Sequence, residues 1–223
     1  MKHTLLMGLA LLAAAASGAR AQGSMPGATE SMRLAVRPDS KLWIEGHSNL
    51  RDWSCEATAL DASVDIDALS AADLESLATA PLQLRRVQVS VPVSGLTCGH
   101  GQMDRIMYRA LKADSLPAAR DIEGVFDVVP SEADGDYALR TVGTLRVAGR
   151  AKRVHLDVSL ERREDGTMRA QGVLPIEMTD YGVTPPTALF GVIRTANQIV
   201  VKFDLLVDPR ASMTALASSL DHR

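Results

Sequence analysis

The chain has 223 residues and a formal net charge of −3; 46% of its residues are hydrophobic and only 4% aromatic. A chain of this length suits one domain with a sizeable core, and the slight negative charge excludes a general attraction to nucleic acid or anionic membrane as the basis of its function. So few rings also argue against a sugar-binding surface, which stacks them.

The first residues read as an export signal. Lys2 and His3 form a basic start, Leu5 to Ala16 an apolar stretch too short to span a bilayer, and Ala19-Arg20-Ala21 a small-x-small cleavage site. Residues 1–21 are therefore expected to be removed, leaving a mature chain from Gln22 in the periplasm, or secreted where there is no outer membrane. No Cys near the cut suggests lipid attachment, and no later segment approaches the roughly 20 apolar residues of a membrane helix. Residues 22–32 are small, polar and glycine-bearing and are expected to form a flexible leader; a single barrel domain is expected over 33–208 and a tail over 209–223.

From there a period of two dominates. Leu42 and Ile44 alternate with polar neighbours, Gly46 to Asn49 resembles a turn, and Trp53, Cys55 and Ala57 share one face of a returning strand, which predicts a hairpin. Leu60, Ala62, Val64 and Ile66 mark the next strand. The period then changes, because Ser70 and Asp73 resemble a capping box, Leu74 and Leu77 are three apart and Pro81 ends the segment, so Ala71 to Ala80 is expected to be helical.

Alternation returns in Val87, Val89, Val91 and Val93. A second helix follows, with Met103, Ile106, Met107, Ala110 and Leu111 on one face and Arg105 and Arg109 largely on the other, expected to lie as a lid or plug on an apolar seam. Five further one-sided rows begin at Ile122, Leu139, Val154, Met168 and Ile199, with Gly149 and Gly166 placed to turn hairpins. Many strands with one apolar face each must curl around a shared interior, so the expected fold is all-β: an antiparallel barrel of about eight strands with one or two short helices.

Such a barrel is either filled by its own side chains or encloses one small ligand. The inward rows carry almost no charge, so an enclosed ligand must be largely hydrocarbon; Gly124, Gly143, Ala170 and Gly172, together with the adaptable Met103, Met107 and Met178, tilt the reading toward open space. Glycine also serves barrel corners, so the filled alternative stands.

Cys55 and Cys98 in an oxidising compartment read most simply as one disulfide. His47 and His100 near them leave a metal site as an alternative, and two free buried thiols as another, although the tight Cys-x2-Cys spacing of structural zinc sites is absent. The chain shows no Gly-x-Ser-x-Gly elbow, no His-Glu-x-x-His and no phosphate-cradling Gly-rich loop, so no catalytic residues, cofactor or metal are assigned. Asp104 and Asp180 read as caps or turn formers, and His155 as a surface group.

Taken in order, Leu42 to Trp53 (Leu-Trp-Ile-Glu-Gly-His-Ser-Asn-Leu-Arg-Asp-Trp), Met103-Asp104-Arg105 leading to Leu111-Lys112-Ala113-Asp114, Val142 to Gly149, and Thr179-Asp180-Tyr181-Gly182-Val183 resemble the landmarks of the YceI-like family. The resemblance runs from about Leu34 to Val207. It implies a lipocalin-like barrel that binds a polyisoprenoid or similar long-chain amphiphile in an internal tunnel without catalysis. Many members carry an arginine where this chain has Met178, and neither the Thr184–Gly191 insertion nor the Cys55/Cys98 pair is a general family feature, so both could reshape the tunnel mouth.

Carried onto this chain, the resemblance makes Val89, Met107, Leu111, Phe126, Leu145, Val147, Leu156, Val158, Met178 and Phe203 the expected lining, with Arg105 or Arg109 either meeting a head group at the rim or simply solvating the helix. The expected partner is an isoprenoid or other long-chain lipid, with no nucleic acid. A partner-binding barrel without ligand and an exported enzyme with an unrecognised site are the competing function classes.

Overall fold

Alternation puts every apolar side chain of a strand on one face, and burying that face requires each strand's backbone groups to be paired with a neighbour's. The computed structural model describes residues 29–33, 35–67, 84–129 and 138–208. They form β1 (Thr29–Arg33), β2 (Ala35–Val36), β3 (Lys41–Ser48), β4 (Asp52–Ala57), β5 (Asp61–Asp67), β6 (Leu84–Pro92), β7 (Leu96–Thr97), helix α1 (Gly101–Ala110), β8 (Asp121–Val129), β9 (Ala138–Val147), β10 (Arg150–Arg162), β11 (Met168–Glu177), β12 (Thr187–Ala188) and β13 (Ile193–Asp208). The predicted helix over Ala71 to Ala80, the signal segment and the tail lie outside the described residues.

The strands form one curled sheet in the order β1-β5-β6-β8-β9-β10-β11-β13-β3-β4-β7, with β2 and β12 also paired to β13. Every pairing is antiparallel, which makes the fold the all-β, lipocalin-like one expected. Among the described residues the sheet has 13 strands where about eight were expected: β2, β7 and β12, of two residues each, are too short to show a period, and β1 falls largely in the expected leader. β13 is the longest strand, its 16 residues pairing with β11 on one side and β3 on the other.

Register lays the apolar rows side by side. Val89 faces Gly124, Phe126 faces Gly143, Val158 faces Gly172, Gly172 faces Phe203, and Val201 faces Ile44, so one continuous inner face runs around the curl. Three cross-strand pairs on this face set a ring against a glycine: Trp53 with Gly46, Phe126 with Gly143 and Phe203 with Gly172. A Cβ built on Gly46 would lie 2.0 Å from the Trp53 ring, one on Gly172 would lie 2.4 Å from the Phe203 ring, and one on Gly143 would meet the Val125 carbonyl at 2.2 Å and the Phe126 ring at 2.7 Å. The rings occupy the space of the missing side chains and lie back against the wall. Gly124 accommodates the same Phe126 ring, which a Cβ there would approach to 2.4 Å. These glycines therefore act by seating rings, a role the expectation of open space at Gly124, Gly143 and Gly172 did not include.

Several boundaries differ from the sequence reading. Gly46 and His47 stay in β3 and the turn falls at Asn49–Arg51, because Ser48 Oγ accepts the N–H groups of Leu50 (3.3 Å) and Arg51 (3.1 Å) and closes the chain one step later. Val93 leaves its row for a short 3₁₀ turn after Pro92 and is buried away from the inner face. Thr29–Arg33, partly assigned to the leader, pairs with β5; an open edge recruits a segment through its backbone, which side-chain pattern does not report. Helix α1 begins at Gly101, two residues before the first apolar position expected to mark it.

The outer face carries cross-strand ion pairs, including Arg86–Asp127 at 2.7 Å, Lys202–Glu45 at 2.7 Å and a two-pronged Arg169–Asp204 contact at 2.8 and 2.6 Å. Exposed pairs of this kind contribute about 1 kcal/mol or less each, and their main effect is on register. The hydrogen bonds from Arg169 hold the Asp204 carboxyl below its ordinary value. A depressed carboxyl contributes stability that is present above the unfolded value near ~3.9 and is lost as pH falls through the folded value. The stability difference between the parent and Asp204→Asn, read from urea midpoints, is accordingly expected to be largest at neutral pH and to shrink below about pH 4.

Gly143→Ala sets a new methyl against backbone as well as ring. It is expected to destabilise the fold by about 1–3 kcal/mol through overpacking, measured by chemical denaturation.

Candidate ligand cavity

The inner face encloses a cavity of about 530 Å³, within the range of small-ligand sites. Its wall takes Val87, Val89 and Val91 from β6, Leu145 and Val147 from β9, Leu156 and Val158 from β10, and Ala170, Leu174 and Ile176 from β11. β13 contributes from Ile193 through Ile199, Val201, Phe203 and Leu205 to Val207, about 46 Å of strand at roughly 3.3 Å per residue. The cavity is thus lined along much of the length of its strands.

Burial shows that the interior is not filled by its own side chains. On β13 the inward Ile199, Val201, Phe203, Leu205 and Val207 are only half-buried, while the strand's buried residue is Leu206, on the outer face beneath the segment that includes Ser40. Of the predicted lining, Phe126, Leu145, Val147, Leu156 and Met178 are buried, and Val89, Met107, Leu111, Val158 and Phe203 half-buried. All ten lie on the cavity wall. Met178 sits on the 3₁₀ turn Met178–Tyr181 that follows β11, and still points inward.

Helix α1 covers part of the cavity, as its amphipathic pattern demands. Met103, Ile106, Met107 and Ala110 line the interior, followed by Leu111 just past the helix end. The helix is tied down at its start by Asp104, whose carboxylate accepts the Cys98 N–H at 2.6 Å and the Thr97 hydroxyl at 3.2 Å. Tyr108 OH donates to the Leu96 carbonyl at 2.6 Å. Asp104 is thus a structural anchor rather than the expected cap: the N-cap position is His100, and Asp104 reaches back to the segment before the helix. Arg105 and Arg109 project from the exposed face and are off the cavity wall; the charged residue on the wall, among the described residues, is Arg51.

Cys55 and Cys98 are bonded to each other, 43 residues apart, and both line the cavity. The bond ties β4 to the segment leading into α1. His47 instead pairs with Asp52 across the hairpin, His100 is exposed at the start of α1, and no group of three or more His, Cys, Asp or Glu side chains is placed to hold a metal among the described residues.

Polar groups on the wall are few. Thr141 is buried and donates its hydroxyl to the Leu156 carbonyl at 2.7 Å. The Trp53 indole N–H is buried without a hydrogen-bond partner, whereas that of Trp43 donates to Glu45 at 2.7 Å. Burial, with the Asp180 carboxylate adding to it, raises the Tyr181 phenol above its ordinary value and keeps it neutral. The sequence reading missed the wall residues Leu50, Arg51, Tyr181, Val183, Pro186 and Ala188, since loops, a 3₁₀ turn and a two-residue strand carry no period.

A curled antiparallel sheet around an apolar interior, partly covered by one helix, defines a lipocalin-like barrel. The family model described as "YceI-like domain" matches residues 44–207, and the chain belongs to that family. Similar solved structures include BcnA of Burkholderia cenocepacia, at 16% identity and a TM-score of 0.58 over 76% of this chain and 96% of that one. Another is a polyisoprenoid-binding domain from Saccharophagus degradans implicated in plant cell wall breakdown, at 14% identity and a TM-score of 0.55 over 82% of this chain and 98% of that one. At these identities the likeness shows the fold. No curated protein matches the chain.

Replacing both cysteines by serine removes a cross-link that, in the chain-entropy model, is worth about 4 kcal/mol for a loop of this length. Cys55→Ser/Cys98→Ser is expected to lower stability by about 2–4 kcal/mol, and dithiothreitol should produce a similar loss in the parent but none in the variant.

Proposed function

We propose that the protein binds a polyisoprenoid or similar long-chain amphiphile in this cavity and serves, after export, as a non-catalytic carrier or sequestering protein. The observation that carries the reading is the half-buried state of the inward β13 row around about 530 Å³ of apolar-walled space. A dry void of that size would cost about 13 kcal/mol by the cavity-volume scaling of core mutants, comparable to the whole stability of a domain. Water is a poor filler for a wall with so few polar groups. A hydrocarbon chain removes the cost by restoring contacts along the wall, and the length of the row suits an extended chain rather than a compact solute.

The unpartnered Trp53 N–H supplies one donor for an oxygen on such a ligand, and Arg51 one cation for an anionic group at the mouth. The polyisoprenoid-binding domain from Saccharophagus degradans shares this fold, which agrees with this ligand class. The N-terminal signal pattern and the disulfide both fit an oxidising compartment outside the cytoplasm.

Extraction of the purified protein into organic solvent, followed by mass spectrometry, is expected to release a long-chain lipid in near-stoichiometric amount. Ala170→Trp, which projects a large ring into the lumen, is expected to lower that content about tenfold while the protein stays folded. Lipid-free preparations from several growth conditions would overturn the reading.

A further inference from the structure

Two turns at one end of the sheet are tied into a single surface. Asn49 Nδ2 donates to the Val192 carbonyl at 2.9 Å, and Asn49 Oδ1 accepts the Arg194 N–H at 2.8 Å. The Asn49 N–H donates to the Arg194 carbonyl at 3.1 Å, and Arg194 Nε to the Gly191 carbonyl at 3.1 Å. On this clamped pair Leu50, Leu189, Val192 and Phe190 are exposed at 68%, 63%, 69% and 110%. Leu189 and Phe190 both hold left-handed backbone, with φ of 49° and 55°, a conformation that bulky residues adopt only when their surroundings impose it. The clamp thus presents apolar side chains outward that a free loop would be able to turn in.

This surface borders the mouth of the cavity. Leu50 is both exposed and on the cavity wall, as is Arg51, and Pro186 and Ala188 of the segment leading into the second turn also line the cavity. Two arginines flank it: between Asp180 and Lys202 the only charged residue in the sequence is Arg194, and Arg51 lies on the opposite turn, next to the exposed carboxylate of Asp52, which contacts His47.

We propose that the two clamped turns are a membrane-docking surface. Leu50, Leu189, Phe190 and Val192 enter the interfacial layer of a bilayer, Arg51 and Arg194 meet lipid phosphates, and the cavity mouth opens onto the acyl chains. Protruding apolar tips flanked by cations match an interface where hydrocarbon lies beneath anionic phosphate, and the attraction is local, since the whole chain is slightly acidic. The proposal rests on the carrier reading above for its purpose, because a lipid that passes directly between bilayer and cavity never exposes its chain to water. A protein partner would more commonly receive such side chains on a broad, flat patch, and these stand on two narrow turns.

Flotation of the purified protein with vesicles of phosphatidylethanolamine and phosphatidylglycerol (3:1) tests it. The parent is expected to float, less so at high salt. Leu189→Asn/Phe190→Asn, which keeps side chains that tolerate the left-handed backbone, is expected to bind the vesicles about tenfold more weakly or worse. Its melting temperature and its extractable lipid should match the parent's. A parent that stays with the soluble fraction, or a variant that floats as well as the parent, overturns the proposal. So does concentration-dependent dimerisation without flotation that the double substitution abolishes, which would assign the surface to a second copy of the chain. Flotation of a protein that never yields lipid supports the docking surface and overturns the carrier reading; a lipid-laden protein that does not float does the reverse.

Discussion

The open interior depends on rings lying back on glycines. A curled sheet of this size could be closed by a few large side chains meeting across the lumen, and the chain has three Phe and two Trp to do it with. Phe126 and Phe203 are instead seated directly across the ladder on Gly143 and Gly172, and Trp53 on Gly46, so their bulk goes into the wall. The remaining inward residues are chiefly Val, Leu, Ile and Ala, which are too short to interdigitate across the gap. Backbone pairing sets the diameter, and the side chains available cannot fill it.

A wall of this kind gains less from burial than a packed core does, and burial is uneven around it. The largest fully buried side chains, Leu96, Val64, Val93 and Cys55, lie on β7, β5, the 3₁₀ turn after β6, and β4. Each fully buried aliphatic side chain stabilises by about 1.5–3 kcal/mol. The disulfide, the Asp104 anchor and the Tyr108 hydrogen bond converge on the β7–α1 region, so α1 is held to the sheet by covalent and polar contacts and can leave its apolar face on the cavity. The firm attachment of the helix and the open space beneath it are therefore parts of one arrangement.

The other side of the mouth is built differently. There the chain turns twice, at Asn49–Arg51 and Leu189–Val192, and Asn49 joins the turns through both its side chain and its backbone. Apolar residues that the sheet could have buried are held outside, beside the wall residues Leu50 and Arg51. The anchored helix and the projecting turns make the cavity's surroundings unequal, and a long ligand bound between them would meet distinct environments along its length.

Much of this was legible in order of residues alone. Period-two rows such as Val154 to Leu160 and Ile199 to Val207 determined the strands, their one-sidedness and the apolar character of the interior, because side-chain direction alternates along any strand. The 3.6-residue pattern of Met103, Met107 and Leu111 likewise determined which side of the helix must be covered, and the family landmarks pointed to the barrel. Short strands, the Asn49 clamp and the presence of Arg51 at the wall were decided only in three dimensions, since each depends on partners distant in sequence. The glycines show the division most clearly. Sequence placed Gly143 and Gly172 on the inner face, but only the cross-strand register set Phe126 and Phe203 upon them, and that pairing is what leaves the interior open.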